Sequence, residues 1–280
     1  MREISVQTIT AQIEKMCIEV NHFLSEDMKT ALDRATHEEE SELGKGIFEQ
    51  LRENLRIAGE DMIPICQDTG MAVVFLEVGQ DVHLTGGDIE EAVNAGVSAG
   101  YTNGYLRKSV VGDPYERVNT GDNTPAVIHY QIVPGDKVKI TLAPKGFGSE
   151  NMSRVFMLKP ADGMPGIENA ILTAVKDAGP NACPPMVIGV GIGGTFEKCA
   201  LMAKQALTRP VGSHSDIGWV ADLEKRMLEM INETGIGPGG LGGKITALGV
   251  NINTYPTHFA GLPVAVNICC HVNRHISVEI

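Results

Sequence analysis

Apolar side chains recur three and four positions apart along residues 6–58: Ile9, Ile13, Met16, Cys17 and Val20, then Leu43, Ile47, Leu51 and Leu55. That is the period of an α-helix, so about the first fifth of the chain predicts helices, read as a packing lobe over about residues 1–60. The pattern then changes. Met71–Val78 is a continuous apolar run of strand length, and Gly86-Gly87-Asp88 reads as the cap of a helix running to about Ala99. Residues 102–125 are polar and glycine-rich and predict loop. Ala126–Val133 and Lys137–Ala143 flank Pro134-Gly135-Asp136, which predicts a β-hairpin.

Further on, helical patterns over Gly166–Ala178 and Glu197–Leu207 flank the short apolar strand Met186–Val190, and a third helix is expected over Ile217–Thr234. The segment 235–244 is too dense in glycine for a regular element and predicts a loop that is flexible or hugs a ligand. Two strand-like runs follow, Ile245–Tyr255 and Val264–Ile280. No internal repeat is visible. Helices alternating with strands and a hairpin predict an α+β fold, a mixed sheet with flanking helices behind a helical N-terminal lobe. At 280 residues the chain is one large domain or two lobes, about 1–60 and 61–280.

Composition narrows the function. Hydrophobic residues make up 43% and charged residues 21%, and no stretch approaches the roughly 18 apolar residues of a membrane span. The N-terminus leads into polar helical sequence rather than an apolar leader, so a cytoplasmic location is expected. A net charge of −12 without a Lys/Arg cluster argues against nucleic acid. An anionic substrate would then need its own local cations. The six cysteines, at 17, 66, 183, 199, 269 and 270, are scattered and form no Cys-x-x-Cys pair. A disulfide framework and a zinc ribbon both lose support, and any metal site must be assembled by the fold.

Gly189-Val190-Gly191-Ile192-Gly193-Gly194 satisfies G-x-G-x-x-G between a strand and a helix, which keeps an NAD-dependent oxidoreductase as a reading from a different class. The acidic strand end expected about twenty residues later is missing, so an ordinary packing turn is the rival explanation. Asp68-Thr69-Gly70 matches the aspartic-protease triplet, but one copy cannot supply two facing carboxylates. Among the cysteines, Cys17 and Cys199 lie on helical patterns amid apolar neighbours and read as core. Cys66 follows Ile63-Pro64-Ile65 and precedes the polar Gln67-Asp68-Thr69-Gly70, while Cys183 sits against Pro184-Pro185. Rigid turns that display a thiol suit a ligand better than a core residue. Cys269 and Cys270 occupy one strand-like run, where alternation points them to opposite faces and leaves open which one is a ligand.

Pro64-Ile65-Cys66-Gln67-Asp68-Thr69-Gly70, Ala182-Cys183-Pro184-Pro185 and Cys270-x-x-x-Arg274, in this order, resemble the iron-sulfur (class I) fumarate hydratase family and its relative L-tartrate dehydratase. Val118-Asn119-Thr120-Gly121 with Asn123, Lys145-Gly146-x-Gly148-Ser149-x-Asn151 and Gly242-Gly243-Lys244 extend the resemblance over nearly all the chain after about residue 40.

The resemblance implies that Cys66, Cys183 and Cys270 bind a 4Fe-4S cluster with one iron left open as a Lewis acid. It further implies reversible hydration of fumarate to (S)-malate, a reaction of the tricarboxylic acid cycle; L-tartrate dehydration is the alternative. It makes Asp68 and His258 the catalytic candidates, and gives substrate binding to Gln67, Arg107 and Gly148. In single-chain members of the family a second domain completes the substrate site. Here the chain stops at Ile280, so it is expected to be the α subunit of a two-subunit form, active with a separate β subunit in an α2β2 heterotetramer.

Overall fold

The computed structural model describes residues 1–280. In chain order the elements are β1 (Arg2–Ser5), α1 (Val6–His22), α2 (Glu26–Glu38), α3 (Glu42–Asp61), β2 (Met71–Gly79), β3 (Val82–Thr85), α4 (Ile89–Asn103), β4 (Val127–Val133), β5 (Val138–Lys145) and α5 (Phe147–Glu150). They continue with β6 (Arg154–Leu158), α6 (Gly163–Ala178), β7 (Met186–Gly193), α7 (Phe196–Ala206), α8 (Gly218–Asn232), β8 (Ala247–Tyr255), β9 (Leu262–Cys269) and β10 (Ile276–Glu279). The fold is α+β. No helix is long and apolar enough to cross a membrane.

The chain divides into two compact units. One comprises residues 1–25, 55–147 and 274–280, the other residues 26–54 and 148–273. The helical segment read as a lobe over about 1–60 is therefore shared out, with α1 in the first unit and α2 in the second. Its second stripe is also displaced. Phe48 and Ala58 are the buried apolar side chains of α3, whereas Leu43 is 56% exposed.

In the first unit α1 and α4 pack beside a four-stranded sheet of order β10-β5-β2-β4. The Ser5 hydroxyl caps α1 by accepting from the Gln7 amide, and Asp88 caps α4 by accepting from the Glu91 amide at 2.9 Å. Ile9, Ile13, Met16 and Cys17 then meet Val93, Val97 and Tyr101 over Val74, Leu76, Ile140 and Leu142. Each such aliphatic side chain contributes about 1.5–3 kcal/mol on burial. Gly96 and Gly100 let the two helices touch, since a Cβ on them would lie 2.6 Å from the Thr10 carbonyl oxygen and from the Cys17 Cβ.

The expected hairpin is not formed. β4 pairs with β2 in parallel, β5 pairs with β2 antiparallel, and β2 lies between them. Pro134-Gly135-Asp136 carries the chain across the end of β2, where the Gly79 amide donates to the Lys137 carbonyl and the Asp81 amide to the Gly135 carbonyl. A Cβ on Gly79 would stand 2.4 Å from the Gly135 oxygen, so this crossing requires glycine there. The physical reason for the topology is that Ala72 to Leu76 are buried without alternation. A strand buried on both faces belongs in the middle of a sheet.

The second unit holds a sheet of order β6-β9-β7-β8, with β7 and β8 parallel and β7 and β9 antiparallel. Ile188, Val190 and Ile192 of β7 join the core made with α6 and α8. The alternate residues Gly189 and Gly191 meet α7 instead, and Cβ atoms on them would fall 2.2 Å from the Ala203 carbonyl oxygen and 2.0 Å from that of Cys199. The G-x-G-x-x-G signal is thus a strand interior made of glycine so that a helix backbone can lie against it. It is not the phosphate-binding turn of a dinucleotide fold, in which the glycines follow the strand. The expected single run Val264–Ile280 is also broken: β9 ends at Cys269, and β10 pairs with β5 in the first unit's sheet.

Candidate active site

In the first unit the turn Cys66–Gly70 is held almost entirely through its backbone. The Ile65 amide donates to the Asn21 carbonyl at 2.9 Å. Tyr101, fully buried, directs its hydroxyl at the carbonyls of Thr69 and Gly70, 2.7 and 3.0 Å away. Asn123 donates from Nδ2 to the Gly70 carbonyl at 3.1 Å and accepts the Ser109 amide on Oδ1 at 2.7 Å. Thr69 Oγ1 donates to the Arg107 carbonyl, and the Arg274 guanidinium donates to the Asp68 carbonyl. Gly70, at φ +78°, approaches Lys145 so closely that a Cβ would lie 2.7 Å from its amide nitrogen.

Asp68 is half-buried. Its Oδ1 accepts the Gly70 amide at 3.0 Å and its Oδ2 the Phe147 amide at 2.9 Å. Each oxygen keeps a second lone pair, so the carboxylate is oriented without being used up. Gly146 leaves the space the carboxylate occupies, since a Cβ there would be 3.0 Å from Oδ2. Gln67 and Arg107 are exposed, and the Cys66 thiol lies 3.3 Å from Gln67 Oε1. Arg274 is 4% exposed, and its Nε and Nη1 have no hydrogen-bond partner. A buried guanidinium with orphaned donors lies in this unit, hydrogen-bonded to the turn that carries Cys66.

In the second unit a 3-10 turn, Gly179–Ala182, ends on Cys183, which adopts φ +51° and ψ 63°. A non-glycine residue in that region is strained and persists only where its surroundings hold it. His271 contacts the Cys183 carbonyl through its amide at 3.4 Å and through Nδ1 at 3.0 Å. Cys270 immediately precedes His271, so the Cys183 and Cys270 backbones are neighbours at one end of the sheet. Gly148 belongs there too, since a Cβ on it would come 3.9 Å from the Asn181 carbonyl oxygen.

The six cysteines separate by exposure. Cys17, Cys199 and Cys269 are buried; Cys66 and Cys270 are partly exposed and Cys183 is exposed. Burial pushes the Cys17 thiol up to about 12 and also raises that of Cys199, whose Sγ donates to the Phe196 carbonyl. These are core thiols. None of the six is in a disulfide. No group of three or more His, Cys, Asp or Glu side chains is gathered at metal-binding distance; Cys66 belongs to the first unit, Cys183 and Cys270 to the second. The accessible set is nonetheless of the right chemistry for an iron-sulfur group: soft thiol donors in rigid turns, with a buried guanidinium bonded to the turn that carries Cys66.

His258 is placed elsewhere. It lies between β8 and β9, at the Gly193 end of the second sheet, lining a cavity of about 550 Å³ with Trp219, Tyr255 and Phe259. Cys183 and Cys270 lie at the Val187 end. Six residues of strand separate the two ends, about 20 Å at 3.3 Å per residue.

The α+β scaffold carries accessible thiols in the turns of both units and an oriented carboxylate in the first, and its glycine-rich β7 is a packed strand rather than a dinucleotide loop. The chain belongs to the fumarate hydratase (Fumerase) family, which it matches over residues 10–279, and it is a hydro-lyase. A similar protein of Methanocaldococcus jannaschii, named "Putative L(+)-tartrate dehydratase subunit alpha", is 42% identical over 258 residues, 90% of each chain. The L(+)-tartrate dehydratase subunit alpha of Escherichia coli (strain UTI89 / UPEC) is 30% identical over 280 residues, 99% of this chain and 92% of its own.

Tyr101 was not legible as a site residue. It falls at helical spacing after Val93 and Val97 and reads as core, and only the fold shows its hydroxyl holding the Thr69–Gly70 turn. Asn123 carried a weak signal, as a polar residue in a glycine-rich loop. Its φ of +66° and complete burial explain why asparagine stands there.

Proposed function

We propose that this chain is the α subunit of a two-subunit iron-sulfur hydro-lyase acting on a four-carbon dicarboxylate, with Cys66, Cys183 and Cys270 as the ligands of a 4Fe-4S cluster. The observation that carries the reading is the division of cysteines by exposure: the three turn cysteines are accessible and the three others are core. When bound, the group supplies an open iron, a Lewis acid that polarises a substrate hydroxyl. Asp68, with one lone pair of each oxygen committed to a backbone amide, moves the proton at the adjacent carbon. Arg107 clamps a substrate carboxylate in the bidentate manner of a planar guanidinium, and Gln67 orients the other end. Gly148 offers its amide where a side chain would block approach. His258 is a second acid or base, on the conditions its distance imposes.

Fumarate and (S)-malate are the proposed substrate pair, in the cytoplasm and within the tricarboxylic acid cycle, with a β subunit completing an α2β2 assembly. The names of the relatives favour L-tartrate as a second reading. The two differ by one hydroxyl, and discrimination of that size rests on whether a polar group waits to pair with it. Anaerobic co-purification with the β subunit, followed by kcat/KM for malate, fumarate and L-tartrate, decides between them. In the same preparation Cys66→Ser, Cys183→Ser and Cys270→Ser each abolish the visible cluster absorbance, whereas Cys269→Ser retains it. A cluster that survives two of the first three substitutions would overturn the reading.

A further inference from the structure

Glu39 is 2% exposed, and Lys45 and Lys244 act on its carboxylate through charge without a hydrogen bond to it. The hydrogen bonds come from four backbone amides. Oε1 accepts from Glu40 and Ser41 at 2.9 Å each and from Lys244 at 3.0 Å; Oε2 accepts from Lys244 at 3.0 Å and Ile245 at 2.9 Å. Two glycines make the room: a Cβ on Gly243 would stand 2.8 Å from Oε1, and one on Gly44 would stand 2.8 Å from the Glu39 Cδ. Backbone hydrogen bonds lower the pKa of this buried acid against the opposing effect of desolvation. A carboxylate whose hydrogen bonds all come from backbone amides acts as a clamp on the segments that donate them.

One of those segments is the end of the glycine-rich loop 235–244. The loop is folded on itself, with the Gly242 amide donating to the Ile236 carbonyl at 2.9 Å and the Gly237 amide to Thr246 Oγ1 at 3.1 Å. Its other side lies against the Cys183 turn. The Gly239 amide donates to the Pro184 carbonyl at 2.9 Å, and a Cβ on Gly240 would stand 2.4 Å from the Pro180 Cβ. Pro180 and Pro184 bracket Cys183, the residue in a left-handed conformation that its surroundings must enforce.

We propose that Glu39 is a positioning residue for the Cys183 thiol: its carboxylate anchors the glycine-rich loop, and the loop holds Pro180 and Pro184 so that Cys183 stays in its strained, displayed conformation. The effect on the bound group rests on the reading of Cys183 as a ligand. The mechanical part does not, and the two are tested separately.

The test is made on the full chain without cluster. Alkylation of Cys183 by iodoacetamide is timed by peptide mass spectrometry, with Cys66 as the internal control, alongside amide hydrogen exchange over residues 239–245. Glu39→Gln, which turns an NH2 toward backbone donors, raises the Cys183 rate roughly threefold or more and speeds loop exchange roughly tenfold, while Cys66 is unchanged. Glu39→Asp falls between. Gly243→Ala, which displaces the carboxylate while keeping Glu39, reproduces the Cys183 effect. Lys244→Ala, which keeps the donating amide and removes the ion pair with Glu40 and the weaker charge interaction with Glu39, leaves the rate as it was. Unaltered Cys183 reactivity and loop exchange in folded Glu39→Gln and Gly243→Ala would overturn the proposal, as would an equal rise at Cys66. With partner and cluster restored, faster cluster loss in Glu39→Gln is expected. Retention of the cluster by Cys183→Ser would remove the ligand reading and leave the alkylation result standing.

Discussion

Arg274 donates a hydrogen bond to the main-chain carbonyl of Asp68, and its Nε and Nη1 are buried without partners. A guanidinium stranded in this way costs stability in the cluster-free chain, a cost that a negative group beside its free donors would offset. Arg274→Met is expected to change the unfolding free energy of the cluster-free chain by no more than about 1 kcal/mol, while affinity for the iron-sulfur group falls roughly 10-fold or more. Urea unfolding and anaerobic titration of cluster absorbance measure the two. A large stability loss with unaltered cluster binding would make Arg274 purely structural.

Tyr101→Phe removes a single hydroxyl that serves two carbonyls of the Cys66–Gly70 turn. Gly70 keeps the Asn123 amide as donor, and the Thr69 carbonyl loses the Tyr101 hydroxyl. The expected cost is about 1–2 kcal/mol, read from the denaturant midpoint at constant m-value. Because the turn carries Asp68 as well as Cys66, kcat should fall more than KM rises in the assembled enzyme.

Alkaline pH tests the core thiol. Cys17 ionises at about 12 in the folded chain against its ordinary 9.0. Between those values the unfolded chain releases its proton and the folded chain keeps it, so stability is full below pH 9.0 and declines as pH rises toward 12. The slope is about 1.4 kcal/mol per pH unit. Tyr101, whose ionisation burial also raises, adds to the loss higher in the range. Urea unfolding of the wild type at pH 8 and 10, compared with Cys17→Ala, isolates the thiol: the variant starts less stable and loses less on the way up.

Much of the fold was readable from local pattern. The Asp88 cap, the core stripe of α1 and the β7, α7 and α8 succession follow from hydrophobic period and capping chemistry. What failed was pairing. Pro134-Gly135-Asp136 has the chemistry of a hairpin turn, and nothing local says that β2, more than fifty residues before it, will occupy the space between the strands. Gly189 and Gly191 match a phosphate loop because strand packing against a helix and a phosphate turn both demand missing side chains. Cys269 and Cys270 could not be separated by alternation, and burial separates them at once. Glu39 was invisible, since its partners are all backbone amides and two of them, Lys244 and Ile245, lie about two hundred residues away.

Gly191→Ala checks the packing account of those glycines. Its Cβ would lie 2.0 Å from the Cys199 carbonyl oxygen, with no flexible side chain to yield, so the cost is expected at about 3 kcal/mol or more. The variant should show a lower melting temperature or fail to accumulate. The wild-type chain should show no saturable NAD binding by fluorescence or calorimetry; tight NAD binding that Gly191→Ala abolishes without unfolding would restore the dinucleotide reading.

His258 provides the sharpest test of how the site is completed. Within one sheet it stands at the Gly193 end, about 20 Å from the Val187 end where Cys183 and Cys270 lie, and strands do not fold back over such a distance. On the proposed reading, a His258 that acts on substrate at the thiol end would be supplied by a second copy of the chain. Its neighbours Tyr255 and Phe259 are exposed, which leaves that corner available to another surface. The expected behaviour is complementation. His258→Ala and Cys270→Ser, each inactive alone with the β subunit, regain about a quarter of wild-type activity when mixed and allowed to exchange, because half of random dimers are mixed and one of their two sites is intact. No recovery with both variants folded and assembled would place His258 outside this chemistry or in the same chain's site. Full activity of His258→Ala would remove it from the mechanism and leave the cavity it lines with another purpose.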